Sequence, residues 1–270
     1  MVASSILGGM TSFLAWLQRT IGRAGFVLAR KSAFEQTKEN AVRDVEIIRR
    51  YSALSMVEKV INSLQESRAQ FRQDVFALAE SKFKREGYFV EFGATDGVTG
   101  SNSYLLESQF GWKGVLAEPA TRFHSDLVAN RSCVLDFRAV WSRSGELLPF
   151  KEAKIGALST FQFLESKDQY RRYRKQGKIY TVETVSLLDL LDQAGAPEEI
   201  DYLSIDTEGS ELALLRSFDF SRYRFNAITV EHNFSRNRAA IKDCLERAGY
   251  RQVHEDISGV DDWYVPVSSR

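Results

Sequence analysis

Cysteine is nearly absent. The chain of 270 residues has two, Cys133 and Cys244, and no CxxC pair, which leaves no basis for a structural zinc site or a disulfide framework. Each lies in an apolar run, as a small buried hydrophobe does. Proline is also scarce, with four in all. Between Gly25 and Gly87 there is neither proline nor glycine, so nothing there breaks a helix sharply. An excess of charge is missing too: 36 basic residues balance 36 acidic ones. A protein that grips a nucleic acid backbone usually has a basic excess, so nucleic acid is not an expected partner. Long apolar runs are missing as well. The opening "MVASSILGGMTSFLAWLQRTIGR" lacks the basic start of a signal peptide, and it reaches Gln18 and Arg19 too early for a membrane span.

What is present begins with enough apolar residues, 44%, to bury a full core. Ile6, Leu7, Met10, Phe13, Leu14, Leu17 and Ile21 recur at helical spacing, with Arg19, Arg23, Arg30 and Lys31 around and after them. Two readings of residues 1–30 stay open: a peripheral helix on a membrane surface, or a helix packed on its own protein or on a second subunit of a homo-oligomer. The expected location is cytoplasmic, at the inner face of the membrane under the first reading. Helical spacing continues through Val42, Val45, Ile48, Tyr51, Leu54, Val57, Ile61 and Leu64. Residues 1–80 therefore read as a helical N-terminal region, and 81–270 as a separate domain.

After Gly87 short apolar runs alternate with helical patterns. "YFVEF", "GVLAE", "CVLDF" running on as "RAVW", "YLSI" and "AITVE" read as strands, with helices between them. That alternation predicts an α/β fold, a mainly parallel sheet with helices on both faces. "YRQVH" and "WYVP" predict an antiparallel hairpin at one edge. Residues 142–183 interrupt the rhythm and read as an insertion. They include a dense cluster of Tyr170, Arg171, Arg172, Tyr173, Arg174, Lys175 and Lys178, with Tyr180 close behind.

In an open parallel sheet, ligands bind beyond the carboxyl ends of the strands. Those ends are Glu91 to Gly97, Glu118-Pro119, Ala139 to Trp141, Asp206 to Glu208, and Glu231 to Asn233. Acids recur at four of the five. Gly93 and Gly97 allow backbone to approach a ligand. No Lys-Ser/Thr pair follows them, and no full GxGxxG is present, so neither phosphate-binding loop is indicated. Glu91 and Asp96 would repel a pyrophosphate. They suit a cationic or zwitterionic cofactor, and S-adenosylmethionine carries an ammonium, a sulfonium and a ribose.

"FVEFGATDGVTGSNSYLLE", "GVLAEPATRFHSDLVANR", "RAVWSRSGELLPF", "SIDTEGSELALL" and "ITVEHN" together resemble the FkbM family of S-adenosylmethionine-dependent methyltransferases, over roughly Gly87 to Pro266. The resemblance implies the class I, Rossmann-like fold with strand order 3-2-1-4-5-7-6. It implies a first cofactor loop of Glu91, Phe92, Gly93, Ala94 and Gly97, with Asp96 on its rim. Glu118, followed by Pro119, would hold the ribose. Ala139 and Val140 would lie near the adenine, and Ser101, Asn102 and Ser103 would help hold the amino acid end. Asp206 would close the cofactor site. The implied reaction is O-methylation of a hydroxyl on a sugar, glycan, glycolipid or natural product.

Methyl transfer to oxygen needs a base. His232 is the first candidate because its ordinary pKa is near neutral. Asp206 is the second, as base or as metal ligand. By position, Asp206, Glu231 and Asn233 resemble the magnesium site of catechol-type O-methyltransferases, which makes Mg2+ a candidate second cofactor. Glu208 and Glu211 read equally well as acids at a helix amino terminus. His124 and His254 read as structural. The basic cluster suits a polar or anionic acceptor, or is a solvated helix. A non-catalytic Rossmann-like binding or scaffold module is the rival function.

Overall fold

The computed structural model describes residues 39–51, 53–154, 156–164 and 177–267. The expectations for residues 1–30 and for the basic cluster at 170–176 fall outside these. The chain divides into two compact units, residues 1–46 and 47–270. The described part of the first unit is helical, and Arg43 Nη1 donates to Asn40 Oδ1 at 2.8 Å. We label the helical run at residues 39–50 α1. Among the described residues no helix is long and apolar enough to cross a membrane.

After the end of α1, the second unit continues with α2 (Leu54–Glu66) and α3 (Gln73–Glu80). Gln73 to Ala79 of α3 are all buried. Their apolar side chains join one core with Phe89, Tyr202, Ala227 and Trp263 of the sheet, and Phe76 stacks on Trp263 at 4.7 Å. The sequence pattern put a boundary near residue 80. The last helix of that stretch, α3, packs into the core of the second unit.

The main sheet has seven strands: β1 (Tyr88–Phe92), β2 (Lys113–Ala117), β3 (Val134–Asp136), β8 (Glu199–Ile205), β9 (Arg224–Glu231), β10 (Tyr250–Val253) and β11 (Asp261–Pro266). Their spatial order is β10-β11-β9-β8-β1-β2-β3. Counted along the chain and read from the β3 edge, this is 3-2-1-4-5-7-6. The five strands from β3 to β9 pair in parallel, while β11 runs antiparallel to both β9 and β10. The sheet is thus mixed, mostly parallel. Alternation along the strands divides the core between two faces. Val90 and Phe92 face α6 (Leu187–Gln193), α7 (Glu211–Ser217) and α8 (Arg238–Arg247). Phe89 faces α3, α4 (Tyr104–Phe110) and α5 (His124–Asn130).

"CVLDF" and "RAVW" do not form one strand. Asp136 Oδ1 accepts from Arg138 N at 2.8 Å, and the Asp136 carboxylate binds the Arg138 guanidinium, so the chain turns at Phe137. β3 ends in the main sheet. β4 (Ala139–Trp141) opens a second sheet of order β4-β7-β5-β6, with β5 (Leu147–Glu152), β6 (Thr160–Phe161) and β7 (Lys178–Ser186). The described residues of the segment expected as an insertion supply β5, β6 and the first part of β7. This second sheet closes over the carboxyl end of the main one through the cluster of Ala120, Ala139, Phe150, Phe161 and Val182.

Candidate functional site

The site forms where β1, β2, β8 and β9 end. The turn after β1 is set by Gly93, whose φ is +74° and where an added Cβ would lie 1.9 Å from the Asp206 carbonyl oxygen. Only glycine lets the ends of β1 and β8 come this close. Thr95, also at positive φ, donates its N–H to Glu118 Oε2 at 2.9 Å. Ala120 N donates to the other carboxylate oxygen at 2.8 Å. Burial, against those two bonds and with some help from Glu152, pushes Glu118 up to about 7.

Behind this turn lies a buried network. Glu91, 3% exposed, accepts from Asn102 N at 2.7 Å, Ser101 Oγ at 3.0 Å and the Ser103 hydroxyl. The Arg131 side chain is fully buried. It donates to Gly97 O at 2.9 Å, Ser101 Oγ at 3.2 Å and Ser103 Oγ at 2.9 Å, and pairs with Glu107. Asp96 turns back onto Val98 N and Thr99 N at 2.9 and 2.7 Å. These hydrogen bonds outweigh its burial and lower its pKa. Of the loop residues singled out in the sequence, Phe92 and Gly93 line the open pocket; Glu91, Ala94, Asp96, Gly97, Ser101, Asn102 and Ser103 do not. Their polar groups hold the loop from behind. Glu91 and the Ser101–Ser103 segment, expected to form the cofactor loop and help hold the amino acid end, brace that loop rather than line the open space.

The pocket is also lined by Ala117, Glu118, Pro119 and Asp206, with Ala139, Val140, Phe150 and Phe161 from the second sheet and Ser159 just before β6. Tyr180 pins that sheet in place. Its hydroxyl donates to Glu152 Oε2 at 2.8 Å and accepts from Thr121 N at 3.0 Å. Burial, with Glu152, raises Tyr180 to about 12. The open space is about 40 Å³, below the ~300–1,000 Å³ of ligand pockets in general. The wall formed by residues 156–161 has to give way for a nucleoside.

A second cavity, about 650 Å³, lies beside the first, and Glu208 lines both. The turn that carries Glu208, at φ +55°, is tied down by Glu211, which accepts from Gly209 N at 2.8 Å and from Thr207 N and Oγ1 at 3.2 and 3.1 Å. Thr160 Oγ1 donates to Glu208 O at 2.8 Å. Asp206, Glu208 and Glu231 bring one oxygen each to within 4.8 Å of one another. Burial, then the neighbouring carboxylates, push Asp206 and Glu231 well above ordinary carboxyl values, and the two side chains share a hydrogen bond. Burial thus favours the neutral form of each more than at an ordinary carboxyl.

His232 lines the larger cavity and is 3% exposed. Its Nδ1 accepts from Phe234 N at 2.9 Å, and its Nε2 faces the buried Asp262 carboxylate at 3.5 Å. Burial lowers its pKa, against the pull of Asp262. Nδ1 is taken by the Phe234 N–H, while Nε2 is buried and makes no hydrogen bond. Asn233 lines the larger cavity, but the third carboxyl beside Asp206 and Glu231 is Glu208's. Of the other two histidines, His124 Nε2 lies 3.0 Å from Glu118 O and His254 bonds Arg50 and Tyr51. Glu208 was visible in "SIDTEGSE" only as a helix-start acid. Arg131, Phe150 and Phe161 carried no local signal, since their roles arise from contacts between distant segments.

The family comparison decides what this geometry belongs to. Residues 91–252 match the model of the methyltransferase FkbM domain. The chain belongs to the FkbM methyltransferase family. It is an S-adenosylmethionine-dependent methyltransferase with the Rossmann-like sheet described above. No curated protein matches the sequence. Among solved structures, this FkbM methyltransferase is similar to precorrin-6y C5,15-methyltransferase from Geobacter metallireducens GS-15, at 10% identity and a TM-score of 0.39, over 71% of this chain and 84% of that one. It is also similar to the 16S rRNA (adenine(1408)-N(1))-methyltransferase from Catenulisporales acidiphilia, at 12% identity and a TM-score of 0.30, over 73% and 92%. Both scores are too low to support a conclusion about this chain.

Proposed function

We propose that this methyltransferase moves the methyl group of S-adenosylmethionine to a hydroxyl oxygen of a polyhydroxylated acceptor: a sugar, glycan, glycolipid head or natural product. The observation that carries the reading is the carboxyl pair between the cavities. Asp206 lines the smaller pocket, Glu231 lines the larger cleft, and Glu208 lines both. A methyl passing from one cavity to the other passes these carboxyls.

Glu118 accepts from the ribose hydroxyls. Ala139, Val140, Phe150 and Phe161 enclose the adenine. The turn at Gly93 and Thr95 receives the methionine end, held in shape by Glu91 and Arg131. Asp206 takes the acceptor's proton as the oxygen attacks the methyl carbon. The S–CH3 bond breaks, an O–CH3 bond forms, the sulfonium becomes a neutral thioether, and the proton passes through the Asp206/Glu231 pair to solvent. A raised carboxyl pKa makes a stronger base than an ordinary carboxylate.

A divalent cation is the second occupant these oxygens fit, since hard cations prefer carboxylate oxygens. Asp206, Glu208 and Glu231 would hold it, and it would acidify a bound hydroxyl. Peripheral membrane contact through residues 1–30 in the cytoplasm, or self-association through the N-terminal helices, is tested by liposome sedimentation and light scattering of the full chain.

The test of the main reading is calorimetric titration with S-adenosylmethionine and S-adenosylhomocysteine, with and without magnesium, on the wild type and on Glu118→Ala. Micromolar binding lost in the variant supports it. No binding under any condition overturns it in favour of a scaffold that keeps the fold without the reaction.

A further inference from the structure

Phe234 has an unfavourable backbone and no burial to offset it. Asn233 and Phe234 have successive positive φ values of +43° and +52°, a region that residues with a Cβ avoid. Yet the Phe234 side chain is left 72% exposed. Strain held at a site, with an apolar ring turned to water, is the signature of a surface kept for a ligand.

The turn is built to stay as it is. Asn233 N donates to Val260 O at 3.2 Å, and Phe234 N donates to His232 Nδ1 at 2.9 Å. The His232 ring meets the Phe234 ring edge-on, with centroids 5.2 Å apart and planes at 69°, which sets the tilt of the phenyl face. His232 is itself 3% exposed, with Nε2 towards Asp262, and Arg238 clasps Asp262 through three bonds of 2.7 to 3.2 Å. His232 is therefore the anchor of this ring.

Phe234 lines the 650 Å³ cleft that shares Glu208 with the cofactor pocket. Its fellow lining groups are the acids Glu208, Glu211 and Glu231, the amides of Asn233 and Asn237, and a single described cation, Arg236. An aromatic face beside carboxylates and amides matches a ring with one apolar face and hydroxyls on its rim. With carboxyl groups outnumbering the one described cation, Arg236, this lining offers a phosphate or carboxylate little to pair with.

We infer that Phe234 is the stacking platform for the acceptor's ring, and that the cleft selects an uncharged or amino-bearing polyhydroxylated ring over a phosphorylated or carboxylated one. The inference rests on the reading of this cleft as the acceptor site of the methyltransferase. It also differs from the anionic acceptor suggested by the basic cluster in the sequence.

The test is saturation-transfer NMR on the full chain loaded with S-adenosylhomocysteine. The probes are a panel of neutral methyl glycosides, the matching 2-amino sugars and the matching 6-phosphates, on wild type, Phe234→Ala and Phe234→Trp. Calorimetry of S-adenosylhomocysteine runs alongside. Expected are ring-proton signals from neutral or amino sugars, a loss of about fivefold in Phe234→Ala, and recovery in Phe234→Trp. Cofactor affinity should not change in either variant. Equal signals in Phe234→Ala, phosphates that bind as well as their parents, or no sugar signal with cofactor binding intact would each overturn the platform while leaving the methyl-donor reading standing. Loss of cofactor binding in the wild type would overturn both.

Discussion

Gly93 and Asp206 stand so close that a single added carbon on the first would sit 1.9 Å from the carbonyl oxygen of the second. The contact joins the ends of β1 and β8, and both residues line the cofactor pocket. Gly93→Ala must therefore separate the two strand ends or rebuild the turn. The expected result is a loss of more than about 2 kcal/mol of stability, from backbone strain and the clash together. Denaturant melts measure it, and cofactor binding should be lost even where the variant still folds.

Cofactor affinity should fall as the pH drops below neutral. The folded value of Glu118 is about 7, raised by burial from 4.5. Only the ionised carboxylate accepts from both ribose hydroxyls, so binding of S-adenosylhomocysteine weakens by about tenfold per pH unit below that value. Glu118→Gln should flatten the profile and weaken binding at pH 8. The stability effect has the opposite sense. A carboxyl raised on folding favours the fold most below pH 4.5, and that contribution is lost as the pH rises through about 7. Calorimetry and thermal melts across pH 5 to 9 separate the two.

Asp206→Asn should lower turnover by about 100- to 10,000-fold, as loss of a general base does. Binding of S-adenosylhomocysteine should survive. In the wild type, turnover should rise with pH as the Asp206/Glu231 pair gives up its proton, because both carboxyls are raised by burial and by each other. Added magnesium that moves this rise to lower pH would place a cation on Asp206, Glu208 and Glu231. An unmoved profile would leave the pair acting by itself.

Arg131→Met should be more damaging than any surface change. It removes the buried partner of Glu107 and a near neighbour of Glu91, at 3.9 Å. Stranding such charges costs about 3–5 kcal/mol. Arg131→Lys keeps the charge but cannot reach Gly97 O, Ser101 and Ser103 together, so it should recover only part of the loss. Chemical denaturation midpoints decide between these outcomes.

Residues 156–161 should respond when cofactor enters. They wall a pocket with about 40 Å³ of open space, and a nucleoside needs more. Hydrogen exchange there should change on adding S-adenosylhomocysteine, while the buried strands β1 and β8 stay protected. An unchanged pattern at 156–161 would mean that the nucleoside binds elsewhere.

The local sequence determined the strands, their parallel arrangement and the acids at their ends. Each is written in a short span: "YFVEF" before Gly93, "YLSI" before Asp206, "AITVE" ending at Glu231. Alternation and strand-end position are local properties, and a chain shows them before it folds. The tertiary structure decided the rest. It turned Glu91 inward onto Asn102 and Arg131, gave Nδ1 of His232 to the Phe234 N–H, and brought Glu208 beside Asp206 and Glu231. It also drew α3 into the core and split residues 133–141 between two sheets. These outcomes depend on which distant groups meet and which lose water, and no window of the sequence contains both partners.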